Sequence, residues 1–224
     1  MNVRRSGILK GCLVSLVALI GLSFMLGTPR AQATPFSLNQ DGCTGGCGSG
    51  STIFGTVDVI QGVDASHVNV TVTLNSPSMF VKTGAGEALA FNINGDPAIT
   101  ITGLTSGFSV GPAPATASTF GSFDYSIHCS DCGNGGSSPL PGPLEFTVGT
   151  LSALSPTDFI ANAGGFFFAS DILGPSGLTG NVAAIGFTPI SPAAVVPEPG
   201  SLLLLGSGLV GLGVWGRKRS RKRV

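Results

Sequence analysis

Four cysteines form two closely spaced pairs in the middle of the chain. The first pair is Cys43 and Cys47 in CTGGC, and the second is Cys129 and Cys132 in CSDC. Pairs of this spacing suit three chemistries: disulfide bonds, a redox-active couple at the second pair, or a four-thiolate zinc or iron–sulfur site with His128 as a further ligand. Which of them applies depends on the compartment in which the chain folds.

Disulfides are favoured if the chain is exported, because they form and persist in oxidising compartments. Four cysteines allow three connectivities, and the sequence does not choose among them. Cross-pairing of the two motifs would close a long span, worth about 4 kcal/mol in the chain-entropy model, whereas local pairing needs a tight loop. The redox alternative lacks a surrounding βαβ pattern. We therefore predict disulfides at these positions, no metal and no cofactor.

The two histidines, His67 and His128, limit the acid–base chemistry available. A Ser-His-Asp hydrolase would need one of them, but the chain lacks a G-x-S-x-G elbow. The nearest match is Gly48-Ser49-Gly50, in a glycine-rich loop. His67 opens a predicted strand, and we expect it at an edge.

Carboxylates offer two weaker possibilities. Glu87 with Glu145 is a conceivable pair for glycoside hydrolysis, although separate surface acids are usually solvated charges. Diffuse calcium binding by Asp41, Asp131 or Asp171 is the second possibility, but no D-x-D-x-D-G loop is present and these residues do not cluster in sequence. The sequence therefore predicts no catalytic residues and no metal site.

The N-terminus has the three parts of a secretory signal peptide. Arg4, Arg5 and Lys10 precede an apolar segment over residues 11–27, and Ala31-Gln32-Ala33 supplies small residues before a cleavage site. We predict a signal peptide over residues 1–33, cleaved by signal peptidase after general secretion, with Thr34 as the first mature residue.

The C-terminus combines a proline-flanked glutamate, an apolar run and a basic end. Residues 200–216 are apolar and glycine-rich, near the lower length limit for a spanning helix. Six Lys and Arg residues follow in 217–224, and they are expected to stay cytoplasmic. The prediction is a linker over 189–199, a transmembrane helix over 200–216 and a cytoplasmic tail over 217–224.

This tail resembles the PEP-CTERM sorting signal of Gram-negative bacteria. The residues that carry the resemblance are Val196, Pro197, Glu198, Pro199 and Gly200, followed by the apolar run and the arginine-rich end. The resemblance implies recognition by an exosortase, removal of the tail and a transient anchor in the inner membrane. It also implies a cell-surface or extracellular destination associated with exopolysaccharide and biofilm matrix.

The segment between the two ends is strongly acidic. From Thr34 to Val196 it has ten acidic residues and one base, Lys82, for a net charge of −9. Such a body repels phosphate backbones, which argues against nucleic-acid binding. We treat residues 34–188 as one exported domain.

Short β-branched and aromatic stretches alternate with Gly, Pro, Asn and Ser clusters, which is typical of an all-β domain. In residues 67–74, Val68, Val70 and Val72 alternate with polar residues, as in a half-buried strand. Phe166-Phe167-Phe168 has the pattern of a central strand. The sequence predicts about nine strands in a β-sandwich or jelly-roll of unknown strand order, with one helical turn near residues 156–161. The other strands are expected at 51–60, 79–82, 88–93, 98–101, 120–128, 144–151, 165–172 and 182–187.

Three functions follow as hypotheses, and the first is a non-enzymatic surface or matrix protein with a structural or adhesive role. The second is a carbohydrate-binding module that stacks sugars on Phe80, Phe91, Phe108 or Tyr125, although one Trp and one Tyr in the chain count against it. The third is a secreted hydrolase, which the missing motif disfavours.

Overall fold

The computed structural model describes residues 33–186. The predicted signal peptide, residues 1–33, lies outside the described residues except for Ala33. The PEP segment, the predicted span and the basic tail also lie outside them. Among the described residues, no helix is long and apolar enough to cross a membrane.

The described chain is all-β, as predicted, with one 3-10 turn at Pro156–Asp158 where a single turn was expected. In chain order the strands β1 to β15 are Ala33–Leu38, Gln40–Asp41, Gly55–Gln61, His67–Leu74, Met79–Phe80, Leu89–Ile93, Ile99–Thr102, Phe108–Val110, Ala115–Ala117, Gly121–Phe123, Tyr125–Cys129, Leu144–Thr150, Phe159–Ile160, Phe168–Leu173 and Thr179–Ala184.

Two antiparallel sheets enclose the main core, consistent with a β-sandwich. The first sheet has the order β1-β3-β4-β12-β7. The second has the order β2-β15-β14-β6-β11-β8, with β13 paired to β6 and β5 paired to β14. Valines of β3, β4 and β12 from the first sheet share one core with Phe91, Ile127, Phe168 and Ile172 from the second.

A short hairpin of β9 and β10 covers the outer face of the second sheet. Phe120 and Phe123 of the hairpin region pack with Ala90, Ala169 and Ala183 in a second, smaller core. The small alanines leave room for the hairpin, so this face is partly closed to solvent.

The clearest sequence patterns match the structure. The strand predicted over residues 67–74 is β4, with Val68, Val70 and Val72 buried and Asn69 and Thr73 exposed. The strand predicted over 144–151 is β12 within one residue. Strict alternation therefore located half-buried strands reliably.

Several strand predictions need correction. The strand expected over 51–60 begins only at Gly55, the one expected over 182–187 is Thr179–Ala184, and the sequence patterns did not indicate β1. The single strand expected over 120–128 is divided at Asp124 into β10 and β11. The Asp124 N–H donates a hydrogen bond to the Asn92 side-chain oxygen (2.7 Å), and β10 leaves the sheet to form the hairpin with β9. Phe166 and Phe167 precede β14 instead of lying in it, and they are half-buried against different neighbours. Phe167 packs on Phe36 at 5.2 Å, whereas Phe166 packs on Phe120 at 4.8 Å.

The strand pairings place both ends of the described chain at the same end of the sandwich. Ala33, the first residue of β1, pairs with Ile60 near the end of β3, and Ala184 at the end of β15 pairs with Phe168. Phe36 contacts Phe168, which ties these two regions together (4.8 Å). We call this the terminus end. The opposite end carries both cysteine motifs and the turn between β14 and β15, and we call it the disulfide end.

Candidate functional site

A row of buried polar side chains crosses the outer face of the second sheet, beside the β9–β10 hairpin. Asp171 of β14 is directly opposite Asn181 of β15, so both side chains lie on one face of the sheet. Both are buried, Asp171 completely. Glu87, just before β6, and His128 of β11 continue the row. The buried members of the row, Asp171, Asn181 and Glu87, need hydrogen-bond partners because water barely reaches them, whereas His128 is partly exposed.

Asp171 is bonded to the loop that follows β5. Its carboxylate accepts the backbone N–H of Thr83, and the Thr83 Oγ1 lies 2.6 and 2.7 Å from the two carboxylate oxygens. Burial raises the pKa of Asp171 to about 6, with the nearby Glu87 charge adding to it and the Thr83 hydrogen bonds opposing it. The carboxylate thus holds the loop in position through hydrogen bonds, although burial of its charge is energetically unfavourable.

Glycine is required where this loop passes over the carboxylate. A Cβ at Gly86 would overlap the Asp171 carboxylate group. The chain can therefore lie directly against Asp171 only at a residue without a side chain.

Glu87 and His128 form a partly buried acid–imidazole pair. The Glu87 Oε2 lies 2.9 Å from His128 Nδ1, and the glutamate is the more buried partner. Burial raises the pKa of Glu87, while the hydrogen bond and charge of His128 oppose that rise. Nearby Ser126 donates its hydroxyl hydrogen to the Pro112 carbonyl (2.8 Å), so that hydroxyl is already engaged.

A polar cavity of about 450 Å³ lies beside this row, towards the disulfide end. Its wall combines the glycine-rich loop at Thr83 with residues of β9, β15 and the first cysteine loop. The side chains with hydrogen-bonding groups there are Thr44, Thr83, Thr116, Ser118, Thr179 and Asn181. The Asn181 Oδ1 is buried and has no hydrogen-bond partner in the described part of the chain.

Both cysteine motifs form local disulfides, Cys43–Cys47 and Cys129–Cys132, with Cα atoms 5.4 Å apart in each. The prediction of disulfides is confirmed, and the connectivity left open by the sequence is the local one. In the first loop the Asp41 carboxylate accepts N–H groups of Cys43 (2.9 Å) and Gly48 (3.1 Å). This acceptor gives the tight loop its shape.

The alternative of a four-thiolate metal site is wrong for the described chain. Asp41, Cys43 and Cys47 lie within ligand distance of one another, but both sulfurs are in a disulfide. The second cysteine pair does not join this group. Asp131 and Asp171, named with Asp41 for calcium, do not join it either.

His67 is half-exposed at the start of β4. The expected edge position is wrong, because β4 lies between β3 and β12 inside the first sheet and His67 pairs with Gly149 of β12. Its Nδ1 lies 2.7 Å from Asp64 Oδ1 and 3.0 Å from Ser66 Oγ. A hydrolytic triad needs the serine and the carboxylate on different ring nitrogens, so this cluster has the right residue types in the wrong arrangement. Hydrogen bonds from His67 and Ser66 lower the pKa of Asp64 to about 2.

The carboxylate pair considered for glycoside hydrolysis is not brought together. Glu145 is exposed on β12 of the first sheet, while Glu87 lies on the outer face of the second. The sandwich core separates them. A two-carboxylate mechanism through Glu87 and Glu145 is therefore excluded by geometry.

The aromatic residues considered for sugar stacking are all buried. Phe80 and Phe91 are fully buried, and Phe108 and Tyr125 are each 8% exposed. Their rings pack on other core aromatics, for example Phe80 on Phe108 at 5.3 Å. None of the four presents a free face to a sugar ring, so that part of the carbohydrate hypothesis is wrong.

Sequence reasoning missed the group formed by Thr83, Asp171 and Asn181. A signal was present, because an aspartate interrupts the apolar β14 sequence FASDIL. A charge inside a buried strand is costly and usually has a specific partner. The partner could not be identified, since Thr83 is far away in sequence.

Comparison with known proteins gives one match. The family model of the PEP-CTERM protein-sorting motif matches residues 195–219, which confirms the resemblance of the tail. The motif implies export, processing during passage at the membrane, and exosortase as the processing partner. No curated protein and no solved structure matches the chain.

Proposed function

We propose that the chain is a cell-surface or extracellular-matrix protein with a structural or adhesive role and no catalytic activity. The observation that carries the proposal is the sorting motif at residues 195–219, which directs the body out of the cell. The proposed destination is the biofilm or exopolysaccharide matrix, reached after signal peptidase and exosortase act on the two ends.

The body has properties that suit an extracellular module. Its two disulfides are the kind of cross-link that persists in oxidising compartments. Its net charge of −9 keeps copies apart and soluble at low ionic strength.

The geometry also suits presentation from an anchor. Both ends of the described chain emerge at the terminus end, where Ala33 and Ala184 lie. While the tail anchors the chain, the disulfide end with its polar cavity would face away from the membrane. A ligand or neighbouring molecule would meet that end first.

The arrangement of the candidate catalytic groups supports a non-catalytic role. Glu87 and Glu145 lie on different sheets, and Ser66 and Asp64 share one nitrogen of His67. The acid–imidazole pair of Glu87 and His128 has a nearby hydroxyl, Ser126, that is committed to a backbone carbonyl. We propose that these groups have a structural role and hold strands and loops in place.

The test is to follow the protein in its own host. In the wild type it should be found in the surface or matrix fraction, and deletion of the exosortase gene should leave it in the inner-membrane fraction. Replacing Pro197, Glu198 and Pro199 together with alanine should have the same effect, whereas Pro192→Ala in the same linker should not. An unchanged distribution in the exosortase mutant would refute exosortase sorting.

The role at the destination needs a second measurement. Deleting the gene for this chain should weaken biofilm cohesion or alter surface texture and leave growth on defined carbon sources unchanged. A growth defect on one polysaccharide, with normal cohesion, would favour a secreted hydrolase instead.

A further inference from the structure

We propose that the cavity lined by Asn181 binds a neutral saccharide of one or two sugar units. The cavity lies between the Thr83–Gly86 loop, the first cysteine loop and the β9–β10 hairpin. This proposal supplies a ligand class for the adhesive role and rests on that role being non-catalytic.

The wall of the cavity provides neutral hydrogen-bonding groups. The lining side chains with polar atoms are threonine and serine hydroxyls and one asparagine amide, and no charged side chain is among the lining residues. Hydroxyl groups both donate and accept, which matches the hydroxyl groups of a sugar. A carboxylate-bearing sugar would find no base in the wall and would be repelled by the net charge of the body.

The Asn181 side chain contributes a hydrogen-bond acceptor that has no partner among the described residues. This acceptor is its Oδ1, and the residue is almost completely buried at 4% exposure. An unpaired buried acceptor destabilises the empty protein. The oxygen itself is inaccessible in the described structure, so a sugar hydroxyl would remove the deficit by donating to it only once the Asn181 side chain has turned towards the cavity that it lines.

The loops around the cavity are held in place before any ligand arrives. The Asp171 carboxylate binds Thr83 on one side, and the Cys43–Cys47 disulfide fixes the loop on the other. Thr119 of the hairpin donates its hydroxyl hydrogen to the Gly42 carbonyl (3.3 Å), which joins the hairpin to that loop. Such preorganisation reduces the entropy lost on binding.

The volume of the cavity limits the size of the ligand. A volume of about 450 Å³ falls within the range of small-molecule sites and suits a short saccharide segment, not an extended chain. The wall contains no aromatic residue, so recognition would rely on hydrogen bonds and weak single-site affinity is expected. Many copies on a surface would convert weak sites into firm adhesion.

The test uses the processed protein recovered from its exporting host. Isothermal titration calorimetry would compare neutral disaccharides built of hexose units with disaccharides that contain a uronic acid. We expect binding of at least one neutral disaccharide at millimolar concentration, and its recovery intact afterwards. Binding of uronic-acid disaccharides alone, or no binding of any disaccharide, would overturn the proposal.

Two variants locate the site. Asn181→Leu keeps the approximate size of the side chain but removes the unpaired oxygen, so affinity should fall at least tenfold while the melting temperature stays equal or rises. A purely structural asparagine would give the opposite thermal result. Thr116→Trp places a bulky side chain at the exposed rim and should also abolish binding, whereas Thr73→Trp, on the exposed face of the first sheet, should not.

The outcomes separate this proposal from the proposed function. If Asn181→Leu and Thr116→Trp both bind the neutral disaccharide as the wild type does, the cavity is not the site. Surface sorting would be unaffected by that result, because it is measured by the exosortase experiment. Cleavage of the disaccharide would instead contradict the non-catalytic role.

Discussion

At the scale of single residues, Asp171 is a buried carboxylate that holds a loop in position although its burial is unfavourable. The carboxylate is fully buried, and its hydrogen bonds to Thr83 hold the segment that forms one wall of the cavity. Asn181, directly opposite on β15, is a second buried polar residue, and its Oδ1 has no hydrogen-bond partner among the described residues. Natural proteins often keep such locally unfavourable groups where they serve a site.

The Asp171 carboxyl should make stability depend on pH. Its folded pKa of about 6 exceeds its ordinary value of 3.8, so the folded state binds more protons between these values and the unfolding free energy falls as pH rises through this window. By about pH 7 the loss attributable to Asp171 reaches about 3 kcal/mol. In Asp171→Asn this part of the pH dependence should disappear.

Urea unfolding at a series of pH values from 4 to 8 measures the effect. Some slope should remain in the variant, because burial also raises the pKa of Glu87. Asp131→Asn, at an exposed position, should retain the full wild-type slope. An Asp171→Asn variant with the same slope as the wild type would contradict the buried ionisation.

At the scale of elements, β1 links the predicted cleavage site to the core. It begins at Ala33 and pairs along its whole length with β3, and Phe36 in its middle packs on Phe167 and Phe168. Cleavage after Ala33 would remove only the first residue of this strand and leave the rest in the mature protein.

Phe36→Ala should therefore destabilise the body by about 3 to 5 kcal/mol, because it leaves a cavity where a fully buried ring contacts two others. Ile53→Ala, at a side chain that is 49% exposed, should cost less than about 1 kcal/mol. Equilibrium denaturation compares the two. A Phe36→Ala variant as stable as Ile53→Ala would show that β1 is not part of the core.

The disulfide connectivity can be read by digestion with trypsin. Lys82 is the only lysine or arginine between Thr34 and Val196, and it separates Cys43 and Cys47 from Cys129 and Cys132. After thiol blocking, denaturation and digestion without reductant, the two body fragments should separate, each lighter than its reduced form by two hydrogen atoms. Either cross-paired connectivity would keep the fragments linked until reductant is added.

Local pairing also sets the expected stabilisation. Loops this short contribute about 2 kcal/mol each in the chain-entropy model, about half of what cross-pairing would give. Reduction should lower the melting temperature by a correspondingly modest amount.

Sequence patterns predicted the strands with strict alternation and failed on the short strands and on the six-residue β1. Val68, Val70 and Val72 alternate with polar residues, so β4 was located residue by residue. The short strands β2, β8, β9 and β13 have two or three residues each, too few for a periodicity. Their position depends on tertiary contacts such as the pairing of Phe159 with Ile93.

The candidate site was less predictable than the fold. Cysteine spacing indicated disulfides, but the polar row joins residues from four separate parts of the chain, including Thr83, Asp171 and Asn181. Their proximity follows from strand order, which composition and alternation do not determine. The burial of Phe80, Phe91 and Tyr125 likewise depends on which face of the second sheet meets the first.

At the scale of the whole molecule, the chain combines an acidic all-β body with a matched sorting motif at residues 195–219. Both ends of the described body emerge together, and the polar cavity lies towards the other end. The two described ends of the body, to which the processing segments attach, therefore lie away from the cavity that we propose binds a ligand after delivery.

Intact-mass analysis of the protein recovered from its own host tests the account most directly. The mature chain should begin at Thr34, with the signal peptide removed, and should end between Val196 and Gly200, with both disulfides retained. Proteolysis by exosortase would then have removed the apolar run and the basic end. A mature species that still contains Arg217 to Arg223 would contradict the account.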